Sequence, residues 1–556
     1  MTEKVGAILL DTRSIQKYVF GCNKLKTNTG ASFLVDGIFT EAMVNVLKQS
    51  GLKMPDTDWD KAGALEMTKE HPDMECEIAY IGGGNMLILV RKGEESLRIC
   101  RELVQKWSLK VLLEAPGLKT GAAIGEIDLS KENFQDSLKA LYKQLKENQN
   151  NVLPQVDLPY TGFTIECDYS GKAVNTYNKD YQRLVSAEVA AKIKAFKPAD
   201  GKIKACFHDE LGDFEFCSEL ESLGYKEGES YISVIHIDGN NMGVKFSNCR
   251  DMLERKSLSL KVRKTVENAF AKLVKKIVSE YDSYADVLDM CALKQGSKRL
   301  LPLRPIIIGG DDITFICPGR MGLQYAQAFI EYVNSEDLLD KELFSGKLYD
   351  EDLYTHIKKI TGKQISKSLS CCAGVAIVPA KYPFFRAYEL AEQLCDEAKA
   401  LSRKDDGNYL DFAILHGEKY GDIKLLRKEQ YESANGNLHY GPYNVLGKEN
   451  DKQSVKGLLA LSRELNVKDM PRNKVKDLRR VLHENKHSMS IFLENCPEFC
   501  ELVKKGNKLA KVVADDLWDK VKNRDKDKDK VTFATRYIDA IEVIDFNYPD
   551  SEMGAK

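Results

Sequence analysis

The stretch RPIIIGGDDITFICPG, residues 304–319, sets two glycines and two aspartates between two apolar runs. Short apolar runs bounded by turn residues read as buried strands, so the stretch is a β-hairpin with Gly309, Gly310, Asp311 and Asp312 at its tip. Glycine takes turn dihedrals at little cost, and Gly and Asp are also what an ordinary hairpin turn contains. Paired negative charge at the end of a hydrophobic hairpin therefore acquires meaning only from its surroundings.

Upstream, SYISVIHIDGNNMG (230–243) reads as a buried strand ending in Asp238, followed by a turn and a helical stretch to about residue 280. Downstream, SLSCCAGVAIVPA (368–380) reads as a strand, YPFFRAYELAEQLCDEAKALSRK (382–404) as a helix with Pro383 near its first turn, and YLDFAIL (409–415) as a strand. The order is β-α-β-β-α-β, the ferredoxin-like arrangement. The N-terminal part repeats it. VGAILLDT ends near Asp11, a helical stretch runs to about residue 49, and CEIAYIGGGNMLILVRK (76–92) forms the hairpin. A helix, the strand LKTGAAIGEI (118–127) and a helix from about residue 132 follow. Asp11 and Asp238 are 227 residues apart, as are Gly82 and Gly309, so strand end and hairpin tip recur in one register. The tips differ: GGDD in the second copy is GGGN, Gly82 to Asn85, in the first.

In such a sheet the first strand and the hairpin are neighbours, which brings Asp238 and Asp311 together at one end. Two unpaired carboxylates repel, and a divalent cation is their usual relief. Two Mg²⁺ or Mn²⁺ ions about 3.5–4 Å apart activate an attacking hydroxyl and neutralise a leaving oxygen at phosphorus. Gly239, Gly309 and Gly310 suit this chemistry, because a backbone without β-carbons admits a bulky phosphate. Lys399 lies at one edge of the apolar helix face made by Ala391, Leu394, Cys395, Ala398 and Leu401. There it either reaches a triphosphate tail or stands as a solvated helix lysine.

The chain has 556 residues with 43% hydrophobic content, enough for three or four domains. Its 82 basic and 84 acidic residues give a net charge of −2, so no global basic field marks a nucleic-acid binder. The 14 cysteines show no CxxC pair and read as reduced, mostly buried thiols. The apolar start meets Asp11 too early for a signal peptide, and no uninterrupted apolar run reaches about 18 residues. A cytoplasmic protein without a membrane segment is the expectation.

These residues resemble the nucleotide cyclase and polymerase palm, and more closely the large signature subunit of type III CRISPR effector complexes. DGNNMG (238–243) is similar to that family's Asp-x-[Asp/Asn]-Asn-x-Gly strand end, GGDD to its second palm, GGGN to its first, and SIQKYVFGCNKLKTNTGASFLVD (14–36) to the rest of that first palm. The resemblance covers roughly residues 1–420 and implies an α+β chain. Its first palm would be 1–150, a linker domain 151–225, a catalytic second palm 226–420, and a helical C-terminal domain 421–556. It implies synthesis of cyclic oligoadenylate from ATP, each 3′-hydroxyl attacking a neighbouring α-phosphate. Asp238, Gly239, Asp311 and Asp312 would hold the metal ions, with Asp312 helping to activate the hydroxyl. Gly309, Gly310 and Lys399 would contact the nucleotide, and Gly82, Gly83 and Asn85 would bind the acceptor. Guide RNA–protein effector subunits, with target RNA as activator, are the implied partners.

Two family features are expected to be missing. The first palm starts within about ten residues of the N-terminus, which leaves no room for an HD-type nuclease, and His208-Asp209 stands alone in the linker. CDYSGKAV (167–174) resembles a zinc-finger remnant with Ser170 in a cysteine's place, so no zinc is expected. The run KNRDKDKDK (522–530) reads as a solvated loop or helix end. Competing readings are a standalone cyclic dinucleotide synthase and a non-catalytic nucleotide-binding scaffold of a ribonucleoprotein. The retained carboxylates favour an enzyme.

Overall fold

The computed structural model describes residues 4–55, 73–130, 132–150, 162–220, 223, 230–284, 294–295, 298–335, 351–362, 366–417, 422–467, 470–507, 511–522 and 531–547. Each repeat folds into a mainly antiparallel sheet from the strands that the hydrophobic pattern marks. In the first, Lys4–Arg13 lies between Asn85–Val90 and Lys119–Asp128, with Cys76–Gly82 at the edge. In the second, Tyr231–Gly239 lies between Asp312–Pro318 and Cys371–Pro379, with Arg304–Gly309 at the edge. Tyr409–Ile414 extends this sheet in parallel to Cys371–Pro379. The fold is α+β, with two ferredoxin-like palms.

The repeat is visible in the register. Leu10 pairs with Met86 and Ile237 with Ile313, both shifted by 227 residues. Even the hairpin irregularity recurs, between Ile78 and Tyr80 in one copy and between Pro305 and Ile307 in the other. A bulge bends its strand locally, and keeping it fixes which hairpin residues reach the tip.

One element differs from the sequence expectation. A helix, Gly322–Val333, stands between the GGDD hairpin and Cys371–Pro379 and supplies the second helix of the ferredoxin unit. Helix Phe384–Asp405 and strand Tyr409–Ile414 are therefore an addition to that unit. Tyr325, Ala326, Phe329, Ile330 and Val333 are all buried, while Gln324, Gln327 and Glu331 fall at helical spacing on the half-buried side. Its counterpart in the first palm is Ser96–Glu114, whose Trp107 is buried and donates from Nε1 to the Ile38 carbonyl at 2.7 Å. Each palm also carries a helix on its other face, Phe134–Asn150 and Phe384–Asp405, following the fourth strand.

The palms exchange elements across their interface. Helix Met252–Ser279 of the second palm brings Lys256 to Glu77 at 3.2 Å, both side chains 2% exposed, and Arg255 over the rings of Tyr80 and Tyr142. Breaking a buried pair of this kind costs about 3–5 kcal/mol. In return Phe20 of the first palm stacks on Tyr388 at 3.8 Å between ring centroids. The hairpin tips consequently face each other: a β-carbon on Gly310 would lie 3.5 Å from the Gly83 backbone nitrogen.

Helix Leu25–Gly37 packs against the linker helix Ala187–Cys206. The run Leu25–Lys48 is long and apolar enough to cross a membrane by composition, and half of it is buried inside this fold. In the linker Cys167 packs with Cys22, Val185 and Val189, and the Ser170 and Ser186 hydroxyls are 2.9 Å apart. His208 is exposed, with Asp209 as its neighbour at 3.3 Å. The C-terminal region is helical and adds a small sheet from Glu432–Ser433, Gly436–Asn437, Val531–Ala534 and Asp519–Lys522. Buried His439 ties it to the second palm, its two ring nitrogens each 2.9 Å from a carboxylate oxygen, of Asp411 and of Asp539. Of the charged run 522–530, residues 523–530 lie outside the described residues.

Candidate functional site

Three elements of the second palm meet at the end of its sheet. Strand Tyr231–Gly239 delivers Asp238, the hairpin delivers Asp311 and Asp312, and helix Phe384–Asp405 delivers Lys399. The Gly239 N–H donates to the Asp311 carbonyl at 3.2 Å, which closes the strand end against the tip. A β-carbon at position 239 would lie 2.8 Å from the Asp311 β-carbon, so glycine there is what admits the aspartate. Gly310, at φ +62°, makes the turn that glycine favours.

The electrostatics follow from crowding. Burial, and then the Asp238 charge, push the Asp311 carboxyl up to about 7. Burial holds Asp312 well above the carboxylate range, and the charges of Asp238 and Asp311 add to it. The Asp312 side chain keeps 29% of its surface open, yet its Oδ1 is sealed and has no hydrogen-bond partner among the described residues. His236 Nδ1 lies 3.4 Å from that oxygen, and burial pushes its imidazole down to about 4, so it stands as a neutral ring near neutral pH. Lys399 is on Asp238, its Nζ bonded to Oδ2.

Asp238, Gly239, Gly309, Gly310, Asp311, Asp312 and Lys399 thus share one end of the second palm. Gly82, Gly83 and Asn85 stand on the facing tip, where Asn85 Nδ2 makes only a 3.5 Å contact to the Gly83 carbonyl. The sequence reading names no protein partner for Lys399, and the structure sets it on Asp238. Sequence reasoning passed over His236, although it lies two residues before Asp238 and so on the same face of the strand. It also passed over Glu392, whose carboxyl is raised by burial and by Asp396 and whose charge reaches Asp312.

Among the described residues no group of three or more His, Cys, Asp or Glu side chains forms a ready metal cage. The donors nevertheless fit a hard divalent cation. All are oxygens, two carboxyls favour a proton for want of compensating charge, and the sealed Asp312 oxygen has no hydrogen bond among the described residues.

Residues 231–407 match a family model described as Cas10/Cmr2, second palm domain. No curated protein matches the chain. Among solved structures, Csm1 from T. onnurineus matches at 13% identity and a TM-score of 0.49, over 98% of this chain and 69% of that one. A Csm1–Csm4 cassette in complex with cA4 matches at 14% identity and 0.41, over 84% and 62%, and one in complex with one ATP at 14% and 0.43, over 86% and 65%. In both cassettes the chain spans less than two thirds of the matched relative. Residues 231–407, which carry Asp238, Asp311, Asp312 and Lys399, are a second palm domain of the Cas10/Cmr2 family.

Proposed function

We propose that the chain is a nucleotidyltransferase that joins ATP into cyclic oligoadenylate: a 3′-hydroxyl attacks an α-phosphate, the bond between the α- and β-phosphates breaks, and pyrophosphate leaves. The observation that carries this reading is the convergence of Asp238, Asp311 and Asp312 on one sheet end that faces the carboxylate-poor tip of the first palm. Asp238, Asp311, Asp312 and the Gly239 carbonyl would hold Mg²⁺ or Mn²⁺, which when bound supplies charge neutralisation at the reacting phosphate. Asp312, which shares this sheet end with Asp238 and Asp311, would help to activate the attacking hydroxyl or support a metal ion. Gly309 and Gly310 leave room for the donor phosphates, and Lys399 contacts the triphosphate. Gly82, Gly83 and Asn85 hold the acceptor nucleotide without charged groups of their own. Guide RNA–protein effector subunits and target RNA would act as activators.

The test is incubation of the purified chain with each nucleoside triphosphate and Mg²⁺ or Mn²⁺, with and without an RNA-loaded effector complex, followed by mass analysis of the products. Ring-closed adenylates are expected. A two-nucleotide ring formed without RNA would point to a standalone synthase. No product under any condition, with nucleotide still bound, would leave a scaffold.

A further inference from the structure

The contact between Lys399 and Asp238 has a counterpart in the first palm that shows what it is for. There Asp11 stands where Asp238 stands, and Gln149 Nε2 donates to its Oδ2 at 2.6 Å. Gln149 sits on helix Phe134–Asn150 and Lys399 on helix Phe384–Asp405. The two helices start 250 residues apart, and the two donors are also 250 residues apart. Both palms therefore aim one side chain from the same point of the same helix at the same strand-end carboxylate. Only the copy with two further carboxylates on its hairpin uses a cation for this.

The cation does not neutralise the site. Lys399 engages Asp238 alone, while the sealed Oδ1 of Asp312 stays without a hydrogen-bond partner. The Lys399 side chain keeps 21% of its surface and that of Asp238 31%, so the contact lies at the open rim and can be exchanged.

We propose that Lys399 is a stand-in counter-cation of the nucleotide-free site: it occupies the Asp238 carboxylate that a divalent ion needs, and it moves to the triphosphate when ion and nucleotide enter together. This rests on the reading of Asp238 as a metal ligand given above. Free divalent ions then compete with a tethered ammonium whose local concentration is high. A metal–nucleotide complex does not, because its phosphates offer the ammonium a new anion as it leaves. The arrangement makes metal and nucleotide binding cooperative in a single chain.

The test is titration of the purified chain with Mn²⁺ alone, read by the electron paramagnetic resonance of the free ion. Lys399→Ala and Lys399→Gln are expected to bind Mn²⁺ about tenfold or more tightly than the wild type. Lys399→Gln installs the neutral donor of the first palm and guards against loss of fold, which thermal unfolding monitors. An α,β-methylene ATP analogue should tighten Mn²⁺ binding in the wild type about tenfold or more and in the variants much less. Asp238→Asn combined with Lys399→Gln should lose the gain. Affinity in both folded variants no higher than in the wild type, including no binding by any chain, overturns the proposal. Tightening in the variants with no product from any nucleotide supports it while refuting the enzyme reading; product with unchanged Mn²⁺ affinity does the reverse.

Discussion

The two palms share register, bulge and strand-end aspartate, and besides Asn85 against Asp312 they differ at two positions that face each other. In the first palm the strand continues from Asp11 to Thr12, and the tip residue opposite is Gly84. Thr12 donates to the Gly84 carbonyl from both its amide, at 2.9 Å, and its hydroxyl, at 2.7 Å. A β-carbon at Gly84 would lie 2.6 Å from that hydroxyl and 2.4 Å from Ile15 Cδ1. In the second palm the equivalent positions are Gly239 and Asp311, and the small residue is now on the strand. The turns differ accordingly. Gly83 and Gly84 both have positive φ, +59° and +77°, as in a type I′ turn, whereas in the second tip only Gly310 does, as in type II′. A side chain fits on the strand or on the tip but not on both, so a palm that carries a carboxylate at this tip position needs glycine after its strand-end aspartate.

The largest effect should come from the carboxylates. Asp311→Ala or Asp238→Ala is expected to lower ATP consumption about a thousandfold or more, because a lost ligand removes charge neutralisation at phosphorus. Asp11→Ala should stay within about threefold, since Asp11 is satisfied by Gln149 and has no carboxylates beside it. Equal losses at Asp11 and Asp238, measured by chromatography of the products, would erase the division between the palms.

The facing tip should matter through bulk. Gly83→Leu is expected to slow turnover about tenfold or more by filling the gap opposite Gly310. Gly83→Ala, whose β-carbon meets nothing nearer than Asn85 Nδ2 at 3.8 Å, isolates the backbone strain of about 1 kcal/mol. Because both palms lie in one chain, activity per chain should not change on dilution. A mixture of Asp311→Ala and Gly83→Leu chains should recover nothing; recovery would mean that the site is built between chains.

A smaller effect should appear in stability. The folded chain prefers Asp311 protonated, with a pKa of about 7 against the ordinary 3.8. Its ionisation therefore costs stability, a cost that is absent below about pH 4, grows as pH rises toward about 7 and is constant above. Asp311→Asn removes it, and should stabilise the metal-free protein by about 1–3 kcal/mol at pH 8, with the gain fading as pH falls toward 4. Denaturant titrations at pH 5 and pH 8 in chelator check this. A gain that is larger at pH 5 would place the raised carboxyl elsewhere.

Much of this comparison was legible because sheet geometry converts sequence spacing into position. Strand-end aspartate and hairpin tip stand equally far apart along the chain in both copies and pair in the same register, so the sequence alone places Asp238 beside the tip. Helix Gly322–Val333 was missed although Gln324, Gln327 and Glu331 mark one polar side of it, and the C-terminal sheet because its strands are two to four residues long. The partner of Lys399 lies 161 residues away and depends on the packing of one helix on one sheet, which no local pattern encodes. The two turn types could not be read either, since glycine permits both signs of φ and the sequence does not say which is used.

The smallest expected effect concerns Asn85, which pairs across the sheet with Asp11 as Asp312 would with Asp238. Asn85→Asp restores one carboxylate to the first tip, and if a hairpin carboxylate alone made a metal site, this variant would gain one. The geometry says otherwise. The neighbouring position, Gly84, has no space for a β-carbon, so the counterpart of Asp311 cannot be supplied. Burial, moreover, already raises the Asp11 carboxyl despite the Gln149 hydrogen bond. The new charge should face a partner of like sign across the strands, costing about 0.2–1 kcal/mol. Product formation should remain within about twofold, as it should for Asn85→Ala, and Mn²⁺ titration should find no additional ion. A second bound Mn²⁺ in Asn85→Asp would show that one side chain, and not the Thr12–Gly84 packing, separates the two palms, and an Asn85→Ala chain as inactive as Asp311→Ala would show that the first tip takes part in the chemistry.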